Sequence, residues 1–293
     1  MEHDDVDVVV VSVPTGMHAE VTIAASNAGK HALVEKPLDT TLERADRMIG
    51  VCRANNTKLG VIFQIRFGVV ARTLKEVVDS GRLGRVFLSD AVDKSSRTAA
   101  YYASADWRGT QGSSGGGCLM TQSIHIIDLL QYLMGPVRSV MGRVATQFHD
   151  IEVEDTATAV VSFTNGSMGI IESTSSVRPA LKSRLELHGE LGTVVANAQY
   201  DKFLVWDVKG NEGRVEVAPG FELTDIDDPW AYPQTRHRVQ LQDMVDAIRE
   251  DRDPALTGED ARVSLAIIMA IYDSSRQGRE VFSDSYRPGN PAP

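Results

Sequence analysis

Two places in the chain carry side chains suited to moving a proton or steadying a charge. The first is Glu35-Lys36-Pro37, at the end of a short apolar run, His31 to Val34. A lysine ammonium there can hydrogen-bond a hydroxyl or stabilise a developing alkoxide in a low-dielectric site. The proline restricts Lys36 to extended geometry and permits a cis bond. The second is GGGCLMTQSIHIIDLLQYLMG, from Gly115 to Gly135. It is apolar almost all round, the mark of a buried helix. Yet it carries Thr121, His125 and Asp128, whose spacing places all three on one helical face. Polar groups on a buried helix need partners or a polar cavity. The leading glycines let backbone or ligand approach the helix start closely, and Gly135-Pro136 stops it. The stretch reads as the wall of a site with His125 pointing into it. Taken alone, helix and histidine favour the plainer alternative, a core histidine bonded to a carbonyl. The tripeptide alone equally suits a surface salt bridge before a helix.

The elements around these residues follow from pattern. Val6 to Val13 is β-branched and apolar on both faces, as in a parallel strand covered by helices. Pro14-Thr15-Gly16 turns the chain into a helix from His18 to Ala28. A second strand, His31 to Val34, leads through Lys36 to a helix capped by Thr40 or Thr41 and running to about Asn55. Lys58 to Phe63 is a third strand. This alternation is the doubly wound α/β pattern, in which ligands bind at the C-terminal ends of strands. Pro14 and His18 stand on that edge, though a turn proline and a helix-face histidine explain them as well. No G-x-G-x-x-G joins a strand to a helix here, and the first strand lacks a neighbour on one side. After an amphipathic helix from Phe67 to Ser80 the texture changes. Arg85 to Lys94 alternates, and Arg97 to Gly117 is loop-like, with Trp107 and Arg108 as a stacked pair over a ligand or a packed cation–π contact. Beyond Pro136, strands at Val137 to Gln147, Thr156 to Thr164, Gly166 to Ser176, Lys182 to Gly189, Thr193 to Ala198 and Lys202 to Val208 suggest an antiparallel sheet with one face on helices. His237 to Glu250 and Glu259 to Gln277 read as helices.

The expected organisation is a partial Rossmann-like domain over 1–65, then a substrate and oligomerisation domain over 66–282 with an open, mostly antiparallel sheet. A flexible tail follows over 283–293, and the last helices can pack back on the first domain. At 293 residues, with 42% hydrophobic and 24% charged residues, the composition is that of a globular protein. No apolar run is long enough to span a membrane, and the acidic start lacks the marks of a signal peptide. Cys52 and Cys118 form neither a disulfide framework nor a metal-binding spacing, so a reduced cytoplasmic location is the default and no metal is expected. A net charge of −10 disfavours nucleic acid and anionic membranes, while leaving room for a local positive site.

The order of motifs resembles a known family. V-D-x-V-V-V-x-x-P-x-x-x-H is followed by G-K-H-x-L-V-E-K-P, then W-R-G-T and G-G-G-x-L-x-x-x-x-x-H-x-x-D. A late H-x-x-Q-x-x-D-x-V-x-A-I with G-E-D-A-R completes the series. From Asp7 to Val281 the chain is similar to the Gfo/Idh/MocA family of NAD(P)-dependent oxidoreductases. The resemblance implies a Rossmann domain, a second α/β domain with an open sheet, and hydride exchange between NAD or NADP and a hydroxyl carbon of a sugar, inositol or related polyol. It implies that Lys36 binds the reacting hydroxyl and contacts the nicotinamide ribose, and that His125 is the general base. Glu35, Pro14 and His18, with Pro37, would line the cofactor, and Trp107 and Arg108 would sit near nicotinamide and substrate. Arg66, Arg178 and His237, whose plainer role is surface or inter-domain, join Lys36, Thr121 and His125 as candidate substrate-binding residues. It also implies a homo-oligomer, dimer or tetramer. Three departures stand out. In the catalytic set that the resemblance implies, Lys36, His125 and Thr121, the threonine occupies the place of a usual Asp or Asn, and Ser123 that of a common glycine. The glycine-rich opening is also absent, which corresponds to roughly sixty residues, two strand–helix units. Two functions follow as expectations: a dehydrogenase whose start is internal to a longer product, or a truncated relative that keeps a sugar pocket or an oligomer surface without cofactor binding.

Overall fold

The structure, a computed structural model, describes residues 5–181, 183–197, 202–208 and 235–287. Strands β1 (Val8–Val11), β2 (His31–Glu35) and β3 (Leu59–Ile62) form a parallel sheet in that order, joined by helices α1 (His18–Asn27) and α2 (Leu42–Ala54). Thr41 starts α2, its hydroxyl accepting the Arg44 amide and so meeting one of the unpaired donors of the first turn. Ala32, Val34 and Val61 are fully buried in the small sheet. β1 differs from the continuous apolar pattern expected of a covered strand. It has one partner among the described residues, and Val10 is 50% exposed. Among the described residues β1 thus stands at an edge of the small sheet, as its lack of a neighbour in the sequence predicts.

The last helices pack back on this sheet. Helix α7 (Thr235–Arg249) lays Met244 on Leu33 and Ile62, and Gln240 Nε2 donates to the Val61 carbonyl at 2.6 Å. Helix α8 (Gly258–Gln277) opens with a capping box, Thr257 and Asp260 each satisfying the other's backbone amide. Arg262 then grips Asp46 of α2 and donates to the Tyr286 carbonyl at 2.7 Å.

Helix α3 (Val69–Asp79) buries Val70, Leu74 and Val77 at helical spacing and leads into a second sheet. β4 (Val86–Lys94), β5 (Val137–Ala145), β6 (Thr156–Phe163), β7 (Met168–Thr174), β8 (Arg184–Gly189), β9 (Gly192–Asn197), β10 (Lys202–Val208) and β11 (Val281–Phe282) pair in the order β10-β9-β8-β4-β7-β6-β5-β11. Among the described pairs only β4–β7 is parallel, so the sheet is mostly antiparallel, as expected. One face carries α8 and α6 (Ile124–Met134). The other is open and leaves Met141, Val160, Met168 and Ile170 at 37–58% exposure. The tail expected from Ser283 remains packed further than anticipated. Ser283–Tyr286 is a 3-10 turn whose Tyr286 is buried, because Arg262 bonds its carbonyl. Residues 288–293 lie outside the described ones.

Candidate active site

Lys36 leaves the C-terminal end of β2 through a cis Lys36–Pro37 bond. Its Nζ donates to the carbonyl of Thr121 at 2.7 Å, across eighty-five positions of sequence. Burial pulls the ammonium below the usual lysine range, and Arg97 adds to that, while Glu35 and Asp93 oppose it. The turn is fastened from beneath by His18, which is 1% exposed. His18 Nδ1 faces the Pro37 carbonyl at 2.9 Å and Nε2 faces that of Val13 at 3.0 Å. The expectation that His18 lines the cofactor is therefore corrected. Both nitrogens lie against backbone carbonyls, with the tautomer setting which one donates, and the ring bridges the first and second strand-end turns. Asp39, fully buried, continues the clamp through the Ala19 amide and Arg44. Pro14 stands at the first of these turns, partly buried, and Glu35 accepts the Lys36 amide at 3.2 Å.

The glycine-led stretch is not one uninterrupted α-helix. After one short turn, α4 (Ala99–Tyr102), a second, α5 (Gln111–Ser114), ends on left-handed Gly115; Leu119–Ser123 is then a π-turn, and α6 follows. Such wide turns collect at functional sites, because they redirect backbone groups that an α-helix would consume. Here the redirected group is the Thr121 carbonyl. The Thr121 hydroxyl donates back to the Gly117 carbonyl at 2.7 Å. Thr121 thus meets Lys36 through its backbone and not its side chain, which revises the role expected for it.

His125 follows the π-turn, partly exposed, with its ring edge-on to Phe63 at 5.7 Å. Its Nδ1 is buried and has no hydrogen-bond partner. A core histidine bonded to a carbonyl, the plainer alternative, is thus not what is observed. Burial holds the imidazole well below the usual histidine range, and the nearby charges of Lys36, His237 and Arg236 push the same way. The lysine from the strand rim and His237 from α7 therefore each lie within electrostatic reach of the imidazole. Asp128, expected on the same face, turns inward instead. It takes a two-pronged bond from Arg66 at 2.6 Å on each oxygen and a third from Ser264 at 2.9 Å. Arg66, a substrate-binding candidate, is spent on this buried pair and stacks on Tyr132. Arg178 is exposed on the loop after β7 and makes no hydrogen bond or ion pair among the described residues.

The three glycines make room for close packing. A Cβ on Gly115 would stand 2.8 Å from the Thr40 backbone, one on Gly116 2.1 Å from the Tyr272 hydroxyl, and one on Gly117 1.7 Å from the Glu154 carbonyl. Glu154 was not foreseen. Its buried carboxylate accepts the amides of Gly117 and Leu119 at 2.8 and 3.0 Å and the Tyr272 hydroxyl at 2.9 Å, anchoring the entrance of the π-turn. Asp93, bonded to the Ser123 hydroxyl at 3.1 Å, and Arg97, bonded to Gln122 at 2.5 Å, were also missed. They approach the site only through folding, and no local motif marks them. Trp107 and Arg108 stack at 4.5 Å beside a narrow cleft shared with Tyr101, Gly116, Gly117 and Thr121. Of metal-ligating groupings among the described residues, Asp90, Glu186 and His188 bring their atoms within 4.8 Å of one another. Strand alternation puts Asp90 on the sheet face opposite Asp93, away from this site.

A nicotinamide dinucleotide fits these residues at one end. A strand-rim lysine and an unpartnered imidazole suit the redox ring and its ribose. For the pyrophosphate, the turn after β1 offers little. A Cβ on Gly16 would be 3.0 Å from the Gly112 carbonyl, so the space there belongs to α5. Fold and site together define a Rossmann-type, nicotinamide-dependent oxidoreductase with an open-sheet second domain. Comparison with known proteins agrees. Residues 1–63 match "Oxidoreductase family, NAD-binding Rossmann fold", and residues 71–195 match "GFO/IDH/MocA C-terminal domain". The WlbA dehydrogenase from Bordetella pertussis, solved with NADH and UDP-GlcNAcA, is 30% identical with a TM-score of 0.82, over 96% of this chain and 80% of its own. The myo-inositol 2-dehydrogenase of Thermotoga maritima is 26% identical over 96% of this chain and 81% of its own. The 1,5-anhydro-D-fructose reductase of Ensifer adhaerens is 27% identical over 94% and 79%. The chain belongs to the Gfo/Idh/MocA family of oxidoreductases, and NAD(P) is the cofactor.

Proposed function

We propose that this protein is a dehydrogenase that exchanges hydride between a nicotinamide and a hydroxyl carbon of a sugar, inositol or related polyol. The observation that carries this reading is His125 Nδ1, buried without a partner within electrostatic reach of Lys36. Leaving a buried nitrogen unpaired costs on the order of 1–3 kcal/mol, a cost that a substrate hydroxyl would remove. The nicotinamide, when bound, supplies the two-electron acceptor for the carbinol hydrogen. Lys36 Nζ donates to the carbinol oxygen and steadies the negative charge that develops there. His125, neutral because burial depresses its pKa, takes the hydroxyl proton on an unprotonated ring nitrogen. Glu35 and Pro14 border the lysine turn and would flank the nicotinamide ribose, with Trp107 and Arg108 on the opposite side. His237 would reach the substrate. The relatives named above support a carbohydrate-like substrate.

The test is absorbance of NADH or NADPH formed on incubating the chain with a panel of inositols, aldoses and their derivatives. Lys36→Met and His125→Asn should each lower kcat by about 10²–10⁴-fold with unchanged circular dichroism. Near-normal turnover in either variant removes its assigned role. The open face of the second sheet, with Met141, Val160, Met168 and Ile170, would join a second copy of the chain, giving the homo-oligomer.

A further inference from the structure

Three successive residues of the π-turn each hold one charged side chain from elsewhere in the chain. The Thr121 carbonyl accepts from Lys36 Nζ at 2.7 Å, Gln122 Oε1 accepts from Arg97 Nη2 at 2.5 Å, and the Ser123 hydroxyl donates to Asp93 Oδ2 at 3.1 Å. A lysine from the end of β2, an arginine from the loop after β4 and an aspartate from β4 are thus gathered on one short turn. The carboxyl is seated from behind. Ser123 is fully buried, and its hydroxyl also stands 2.6 Å from that of Ser173 on β7. Ser173 can therefore donate to Ser123 while Ser123 donates to Asp93. The proposed reaction uses the lysine and leaves this carboxyl without a part.

A count of charges gives it one. Burial disfavours the Lys36 ammonium, and the Arg97 guanidinium adds to that. His125 becomes a further cation when it takes a proton, beside Lys36, His237 and Arg236. Two carboxyls bear on Lys36 in the other direction: Glu35, its neighbour in the chain, and Asp93 from β4. Asp93 in turn faces Arg97 and Lys36, and the Cys118 thiol lies within its field. Burial raises the Asp93 pKa, while the Ser123 hydroxyl and the two cations lower it.

We propose that Asp93 is a positioning residue for the reaction: its carboxylate, held by Ser123, is the counter-charge that keeps Lys36 an ammonium beside Arg97 and His125. Its effect on turnover rests on the dehydrogenase reading, whereas its hold on the Lys36 charge does not. The plainer role for Asp93 is to fasten β4 to the π-turn. Asp93→Asn separates the two, because an asparagine oxygen still accepts from Ser123 but carries no charge.

Lysine isotopically labelled at Nζ lets the Lys36 titration be followed by nuclear magnetic resonance in the full chain, without turnover. The Lys36 signal is assigned by its loss in Lys36→Met. In Asp93→Asn the Lys36 midpoint should fall by about half a pH unit or more, since a nearby carboxylate favours the ammonium. Asp93→Ser, also uncharged, should give the same shift and serves where the asparagine variant does not fold. Asp93→Glu should retain part of the wild-type midpoint. Asp90→Asn, on the opposite face of the same strand, should leave the midpoint in place. The basic limb of kcat/KM should move to the acid side together with the midpoint. A thermal melt of each variant checks folding. An unchanged Lys36 midpoint in whichever uncharged variant folds would overturn the proposal, as would an equal shift in Asp90→Asn. A shifted midpoint in a protein that transfers no hydride would instead sink the dehydrogenase reading and leave this one standing.

Discussion

His125 and Lys36 have both been moved from their ordinary titration ranges, and in the same direction. The imidazole must be neutral to take a proton, and its pKa lies well below the usual value of about 6.5 because desolvation, then the nearby Lys36, His237 and Arg236, disfavour its charged form. The ammonium must keep its charge, and burial lowers its pKa from the usual value of about 10.5. Both limbs of the profile of kcat/KM for substrate oxidation against pH should therefore be displaced to the acid side. The acid limb should fall below pH 6.5 and the basic limb below pH 10.5, measured with saturating NAD(P). An acid limb at or above 6.5 would show that the histidine is not the group observed. A second residue-level expectation concerns Asp128. Replacing it with alanine strands the Arg66 guanidinium, 8% exposed, without a counter-charge. Urea denaturation should report a loss of about 3 kcal/mol or more, whereas Arg178→Ala, at an exposed site, should lose little.

At the scale of elements, the π-turn does what a plain helix could not. It presents a backbone carbonyl to Lys36 and delivers His125 to the rim of the small sheet. Its entrance depends on Gly117, whose missing Cβ makes room for the Glu154 carbonyl, and on the Glu154 carboxylate, which meets two amides there. Gly117→Ala would require a backbone shift of more than an ångström in a tightly packed place. Overpacking of this kind costs about 1–3 kcal/mol or more. The variant should melt at lower temperature and, where it still folds, lose turnover, because Lys36 would lose its carbonyl. Gly166→Ala should not disturb the site, since nothing stands within 4 Å of the added Cβ, although its positive φ adds local strain.

At the scale of the whole molecule, two sheets share a seam. Helices α7 and α8 return from the end of the chain to the first sheet, and α6 carries its histidine from the second domain to the first. The open face of the large sheet remains apolar at Met141, Val160, Met168 and Ile170. Single charges there, such as Met168→Lys or Val160→Glu, should shift the mass seen by light scattering towards a single chain without lowering the melting temperature of that chain. A wild-type chain that is monomeric at micromolar concentration would remove the oligomer from the proposed function.

Most elements were legible from local pattern, as were the lysine and histidine proposed here for the chemistry. Strand alternation, β-branched runs, caps and the Gly and Pro stops are local constraints on backbone and solvent exposure, so they can be read from neighbours in the chain. The E-K-P turn and the glycine-led helix are local in the same sense. Tertiary structure alone decided which polar groups spend themselves on one another. His18 went to two carbonyls, Arg66 to Asp128 and the Thr121 hydroxyl back to its own helix, while His125, Arg97 and Arg108 were left with nitrogens unpaired. Those outcomes depend on distances between residues far apart in sequence and on how far burial penalises a charge. Neither quantity exists until the chain has packed.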